Sequence, residues 1–141
     1  MTDSIAPNLE SSYLALVEFL MLSKHQIVAV GAEHDLTGMQ AMTIFFLDHP
    51  RPMRELTAIF NCDPSNITGI IDGLEEKQLA ERCENPGDRR VKMVQLQPKG
   101  IAFRATLLNQ LVGPGSHILG KLNTDEVERF IHLVNKISHT N

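Results

Sequence analysis

The sequence predicts a mainly α-helical fold interrupted once by a short β-hairpin. Apolar residues recur at three- and four-residue intervals along most of the 141 residues, two capping boxes mark helix starts, and a Pro-Gly turn separates two short extended runs. The length suits a single domain, 1–141, that buries a core without metal or disulfides. No repeat or linker divides it.

The first helix is expected from Leu9 to about Val30, because Leu9, Tyr13, Leu16, Val17, Leu20 and Ile27 share a face and Gly31 offers a stop. The second starts at Thr37, where the hydroxyl and the Gln40 amide can satisfy two orphan backbone donors, and ends before Pro50. A short third helix from Pro52 to Phe60 sets Leu56, Ile59 and Phe60 on one side. After the tight connection Asn61-Cys62-Asp63, Asp63 and Pro64 read as N-cap and first residue of a fourth helix.

In that fourth helix Ile67, Ile70, Ile71 and Leu74 form an apolar stripe, while Ser65, Gly69, Asp72 and Glu76 lie opposite. Ala80 to Cys83 and Val91 to Leu96 are the extended runs, with Glu84 to Arg90 as a charged loop between them. A helix after Pro98 carries Ile101, Leu107, Leu108 and Leu111 until Gly113-Pro114-Gly115 breaks or kinks it. Asn123 with Glu126 caps a last helix whose stripe is Val127, Phe130, Ile131, Val134 and Ile137.

Two short helices joined by a tight turn and followed by a basic-tipped hairpin are the plan of a winged helix-turn-helix. The run DPSNITGIIDGLEEKQLAERCENPGDRRVKMVQLQPKG resembles the core of the MarR family of bacterial regulators, with the family's Asp-x-Arg wing element at Asp88 and Arg90. LTGMQAMTIFFLDHP resembles its second helix and LNTDEVERFIHLVNKI its final dimerisation helix. The fold class is therefore mainly α with a small β-hairpin wing, a winged helix-turn-helix carrying N- and C-terminal dimerisation helices. The resemblance implies a homodimer, with a DNA-binding lobe at 36–97 and dimerisation regions at 5–31 and 98–139. It also implies a repressor on a pseudo-palindromic operator in double-stranded DNA, released by a small lipophilic or phenolic effector. A dimer suits the physics as well, because the apolar terminal helices find too little partner surface in one small chain.

On that plan Ser65, Asn66, Thr68 and Gly69 face the major groove, Asn66 being the best adenine reader; the alternative is that Ser65 caps and the others are solvated. Arg90 enters the minor groove with its guanidinium held by Asp88, and Arg89 meets phosphate; a solvated hairpin tip is the alternative. Arg51, Arg54, Arg82, Lys92 and Lys99 are further phosphate candidates. The family often has arginine where Gly69 and Gly73 stand, so affinity leans on the wing, or these glycines permit close approach or a bend.

The net charge of −4 argues against indiscriminate nucleic-acid binding. It keeps alive a second reading, a winged-helix protein-interaction module with little DNA affinity. Cys62 and Cys83 are the only cysteines and read as buried small hydrophobes, a redox switch being the alternative. His25, His34 and His117 with Glu33 and Asp35 lack tight ligand spacing, so no metal and no cofactor are assigned, a metal-responsive regulator being the alternative. Met21, Met39, Phe45 and Phe46 read as core before effector pocket. No nucleophile with its base and no phosphate-cradling loop is present, so the chain is not read as an enzyme. No leader pattern or uninterrupted apolar span is seen, and the expected location is the cytoplasm without membrane contact.

Overall fold

The computed structural model describes residues 5–113 and 118–139. Helix α1 (Ile5–Glu33) is followed by α2 (Gly38–Phe46), strand β1 (Arg51–Pro52), α3 (Met53–Phe60) and α4 (Pro64–Glu76). Strands β2 (Ala80–Asn85) and β3 (Asp88–Leu96), helix α5 (Pro98–Val112), a 3-10 turn at Leu119–Lys121 and α6 (Thr124–Ser138) complete the order. The mainly α fold with a β wing is thus as the periodicity predicts.

Helix α1 runs through Gly31, which is no stop: a Cβ there would lie 2.8 Å from that of Ala41, so the glycine lets α2 pack close. The chain turns at Asp35, whose φ of 59° is left-handed. At Thr37 the expected box is formed in both directions, Gln40 N donating to the hydroxyl and Thr37 N to the Gln40 side-chain Oε1, each at 3.1 Å. Asp63 has the extended backbone of an N-cap before Pro64, but its carboxylate makes no capping hydrogen bond.

The core lies where α2, α3, α4 and α5 meet the sheet. Ala41, Ile44, Leu56, Ile67, Ile71, Leu74, Val94 and Leu107 are fully buried. The fourth-helix stripe faces inward as expected, although Ile70 is only half-buried. In α5 Leu107 is buried as expected, but Phe103 is the other large core residue while Ile101 stands exposed, so the apolar count there placed the inward face only in part. Arg104 Nε reaches back to the Phe45 carbonyl oxygen at 3.1 Å, joining α5 to α2.

The sheet has the antiparallel order β1-β3-β2. Arg51 and Pro52 pair with Val94 and Met93, an edge too short for any periodicity to reveal. The third helix accordingly starts one residue later than expected, at Met53 with Pro52 as its N-cap. The hairpin closes on Pro86-Gly87 alone, where Gly87 N donates to Asn85 Oδ1 at 2.8 Å. Asp88, Arg89 and Arg90 are therefore strand residues and not a loop, because ladder pairing satisfies backbone groups whatever the side chains carry.

Two bodies separate between Leu107 and Leu108. Helix α6 in the second is capped as predicted, Glu126 N donating to Asn123 Oδ1 at 2.9 Å. Ile131, Val134 and Ile137 of its stripe are exposed within the single chain. Along the first half of α1, Tyr13 is 68% and Leu20 55% exposed. Residues Asn8–Glu33 are long and apolar enough, by length and composition, to cross a membrane, which the sequence reading did not anticipate. Pro114 and Gly115 of the expected kink lie outside the described residues; α5 ends at Val112.

Candidate nucleic-acid interface

Helix α4 presents one polar face because its apolar face is consumed by the core. Ser65, Asn66, Thr68 and Gly69 are all exposed. The Asn66 carboxamide and the Ser65 hydroxyl make no hydrogen bond among the described residues, so Ser65 is not a cap and both remain available to base edges. Thr68 differs: its hydroxyl donates to the Pro64 carbonyl oxygen at 3.0 Å, leaving an acceptor and a methyl group facing outward.

The two glycines divide. A Cβ at Gly69 would meet nothing within 4 Å, whereas one at Gly73 would lie 2.6 Å from Nε2 of Gln40. Gly73 therefore serves close packing of α4 on the α2 cap, and Gly69 leaves a flat stretch on the exposed face.

On β3 alternate residues share a face, so Asp88, Arg90 and Lys92 project together and Arg89 projects to the other side. Asp88 Oδ1 accepts from Arg90 Nε at 3.1 Å and from its backbone N at 3.0 Å, while Oδ2 accepts from Nη2 at 3.3 Å. The side-chain bond to Arg90, then the backbone bond, hold the Asp88 carboxyl below the usual carboxylate range, with Arg54 adding a smaller attraction. Arg90 is 92% exposed yet fixed at its inner edge. That arrangement orients a cation without neutralising its outward face.

Strand β1 supplies what the sequence did not reveal. By pairing with β3 it sets the start of α3 beside the wing, and Arg54, Arg90 and Lys92 line a cleft of about 240 Å³. Three cations at one cleft concentrate positive charge there. The only sequence signal was the order Arg-Pro before a helix.

Two phosphate candidates are corrected. Arg51, its side chain 17% exposed, donates to Asp48 Oδ1 at 2.9 Å, to Glu55 and to the Phe46 carbonyl oxygen. Arg82 donates to Asp72 at 2.7 Å and to Glu75 at 2.8 Å. Its bond to Asp72 foremost, with Glu75, outweighs burial and holds the guanidinium protonated above the ordinary arginine range. These guanidiniums join elements, Arg82 tying β2 to α4. Lys99 Nζ turns to the Lys77 carbonyl oxygen at 3.3 Å, away from the cluster around Arg90.

Cys62 and Cys83 are half-buried free thiols. Burial, and then Glu81, push the Cys83 thiol up, against thiolate reactivity. Among the described residues no three His, Cys, Asp or Glu side chains gather as a metal site. His34 packs its ring edge-on to Phe103 at 4.9 Å, and His117 lies outside the described residues. Phe45 and Phe46 pack edge-to-face at 5.5 Å.

The MarR family model matches residues 49–92, from just before β1 to the middle of β3. The transcriptional repressor NicR of Pseudomonas putida is 32% identical over 113 residues, covering 76% of this chain and 69% of NicR. The transcriptional regulator YhbI of Bacillus subtilis is 27% identical over 67% of this chain, which spans 62% of YhbI. Among solved structures, the transcriptional regulator BldR of Sulfolobus solfataricus superposes with a TM-score of 0.74 at 24% identity, covering 97% of each chain. A mutant Escherichia coli MarR complexed with operator DNA gives 0.66 at 23% identity, covering 92% of this chain and 95% of that one. The fold is thus that of MarR-type winged-helix proteins, and the relatives are transcription regulators, not enzymes.

Proposed function

The chain belongs to the MarR family of transcription regulators, and from that premise we propose that it represses transcription by occupying a pseudo-palindromic operator as a homodimer. The observation that carries this reading is the exposed polar face of α4 beside an arginine held outward by Asp88. Asn66 and Ser65 read base edges in the major groove, Thr68 accepts or packs on a thymine methyl, and Gly69 admits close backbone approach. Arg90 lies in the minor groove positioned by Asp88, while Arg54, Arg89 and Lys92 contact phosphate. Lobe 36–97 carries this surface, and 5–31 with 98–139 carry dimerisation through the apolar faces of α1 and α6. A regulator of this kind works in the cytoplasm, and a small lipophilic or phenolic effector releases it.

Fluorescence anisotropy with the duplex upstream of the protein's own gene and a scrambled duplex tests the reading. Asn66→Ala should cost about 1–3 kcal/mol on the specific duplex and little on the scrambled one. Three phosphate-facing cations per subunit, six in a pair, imply a salt slope of roughly −5. Equal loss on both duplexes would count against base readout by Asn66, affinity that barely responds to salt would count against the phosphate contacts, and no binding to either duplex would favour a winged-helix module that binds protein.

A further inference from the structure

We infer that Thr68 makes this chain a reader of the pyrimidine C5-methyl group, matched best to a 5-methylcytosine in each half-site of duplex DNA. The inference deepens the operator reading above and rests on it. Helices α3 and α4 leave between them an open cavity of about 250 Å³, lined by Met53, Arg54, Thr57, Pro64, Ile67 and Thr68. Ile67 is buried, Met53 and Thr57 are half-buried, and Pro64 and Thr68 are exposed.

Both threonines have their protons committed. Thr57 Oγ1 donates to the Met53 carbonyl oxygen and Thr68 Oγ1 to that of Pro64, each at 3.0 Å. A hydroxyl bonded in this way to its own helix keeps its lone pairs and its methyl group but has no proton left to donate. A Cβ at Gly69 would meet nothing within 4 Å, so the next position adds no side chain that would hold a base edge away from Thr68. Arg54 alone of the six is charged, and a cation there suits the phosphate backbone that flanks any base edge.

Pyrimidines differ in the major groove by two features. Cytosine presents an N4 amino donor, and thymine an O4 acceptor with a C5 methyl group. An oxygen that can only accept takes a proton from N4 and meets O4 lone pair to lone pair. The apolar lining of Met53, Pro64, Ile67 and the two threonine methyls gains from a methyl group that leaves water. Thymine satisfies only the apolar part and cytosine only the oxygen, whereas 5-methylcytosine satisfies both. Cytosine methylation at that step of the operator therefore tightens binding.

Fluorescence anisotropy on the full chain tests this with operator duplexes carrying cytosine, 5-methylcytosine, thymine or uracil at each pyrimidine of a half-site in turn. Comparing 5-methylcytosine with cytosine, and thymine with uracil, changes the methyl group and keeps the pairing. At one position per half-site the methyl should improve affinity about fourfold in both comparisons. There 5-methylcytosine should also exceed thymine about fivefold. Thr68→Ser should remove the methyl gain and keep the preference for cytosine over uracil. Thr68→Val should do the reverse, and thermal melting of both variants should match wild type. Asn66→Ala should lower affinity and leave both effects in place. Methyl comparisons that stay flat at every pyrimidine, on a chain that still prefers operator to scrambled duplex, overturn the inference and leave the repressor reading standing. A methyl gain that survives Thr68→Ser overturns the assignment to Thr68. A chain that binds neither duplex overturns both readings.

Discussion

Asp88 and Arg90 are two residues apart on one strand face, which makes their pairing local and leaves the outer guanidinium edge open. Asp88→Asn should weaken operator binding several-fold with the fold intact, read by anisotropy alongside thermal melting. Because Arg90 lowers the Asp88 carboxyl, the clamp is complete above the ordinary carboxylate range and is lost only as pH falls through the still lower folded value. The wing's contribution to affinity should therefore be flat between about pH 5 and 8; a decline across that window abolished by Asp88→Asn would contradict it. At Gly69 alanine meets open space, so Gly69→Ala should raise stability by about 1 kcal/mol in urea unfolding. Gly73→Ala should gain nothing, since its methyl displaces Gln40 from the Thr37 box, a loss of similar size.

At the scale of elements, α4 is held on one side by apolar burial and on the other by Arg82. Ile71→Ala should cost about 2–5 kcal/mol by opening a cavity among α2, α3 and α4. Arg82→Gln should cost less than about 1 kcal/mol in global stability, since its acidic partners are partly exposed. The same change should still weaken operator binding by loosening the wing relative to α4; unchanged affinity would mean the tie is ornamental. Capping boxes, the α4 stripe and the Pro-Gly turn were legible because each is decided within a few residues. Strand β1 was not, because two residues become a strand only when β3 lies alongside. Arg51 and Arg82 looked like phosphate ligands for the same reason: a guanidinium's partner is set by what folds against it.

For the whole molecule, the exposed apolar faces of α1 and α6 are the dominant unsolved burial problem of a single chain. On the proposed homodimer a second copy covers these faces, and sedimentation without detergent should then give twice 15.7 kDa. Leu20→Glu should shift that equilibrium to monomer and weaken operator binding with it. A wild-type chain that stays in solution only with detergent would instead favour the membrane-spanning potential of Asn8–Glu33.

By itself the sequence determined the helix order, the turn, the inward face of α4 and the class of surface on offer, since periodicity and capping are properties of neighbours in the chain. Tertiary structure alone decided which cations are spent on internal pairs, where β1 sets Arg54, why Gly73 differs from Gly69, and that Thr57 and Thr68 share a cavity. Those outcomes depend on contacts between residues distant in sequence, and no local pattern encodes a distance in space.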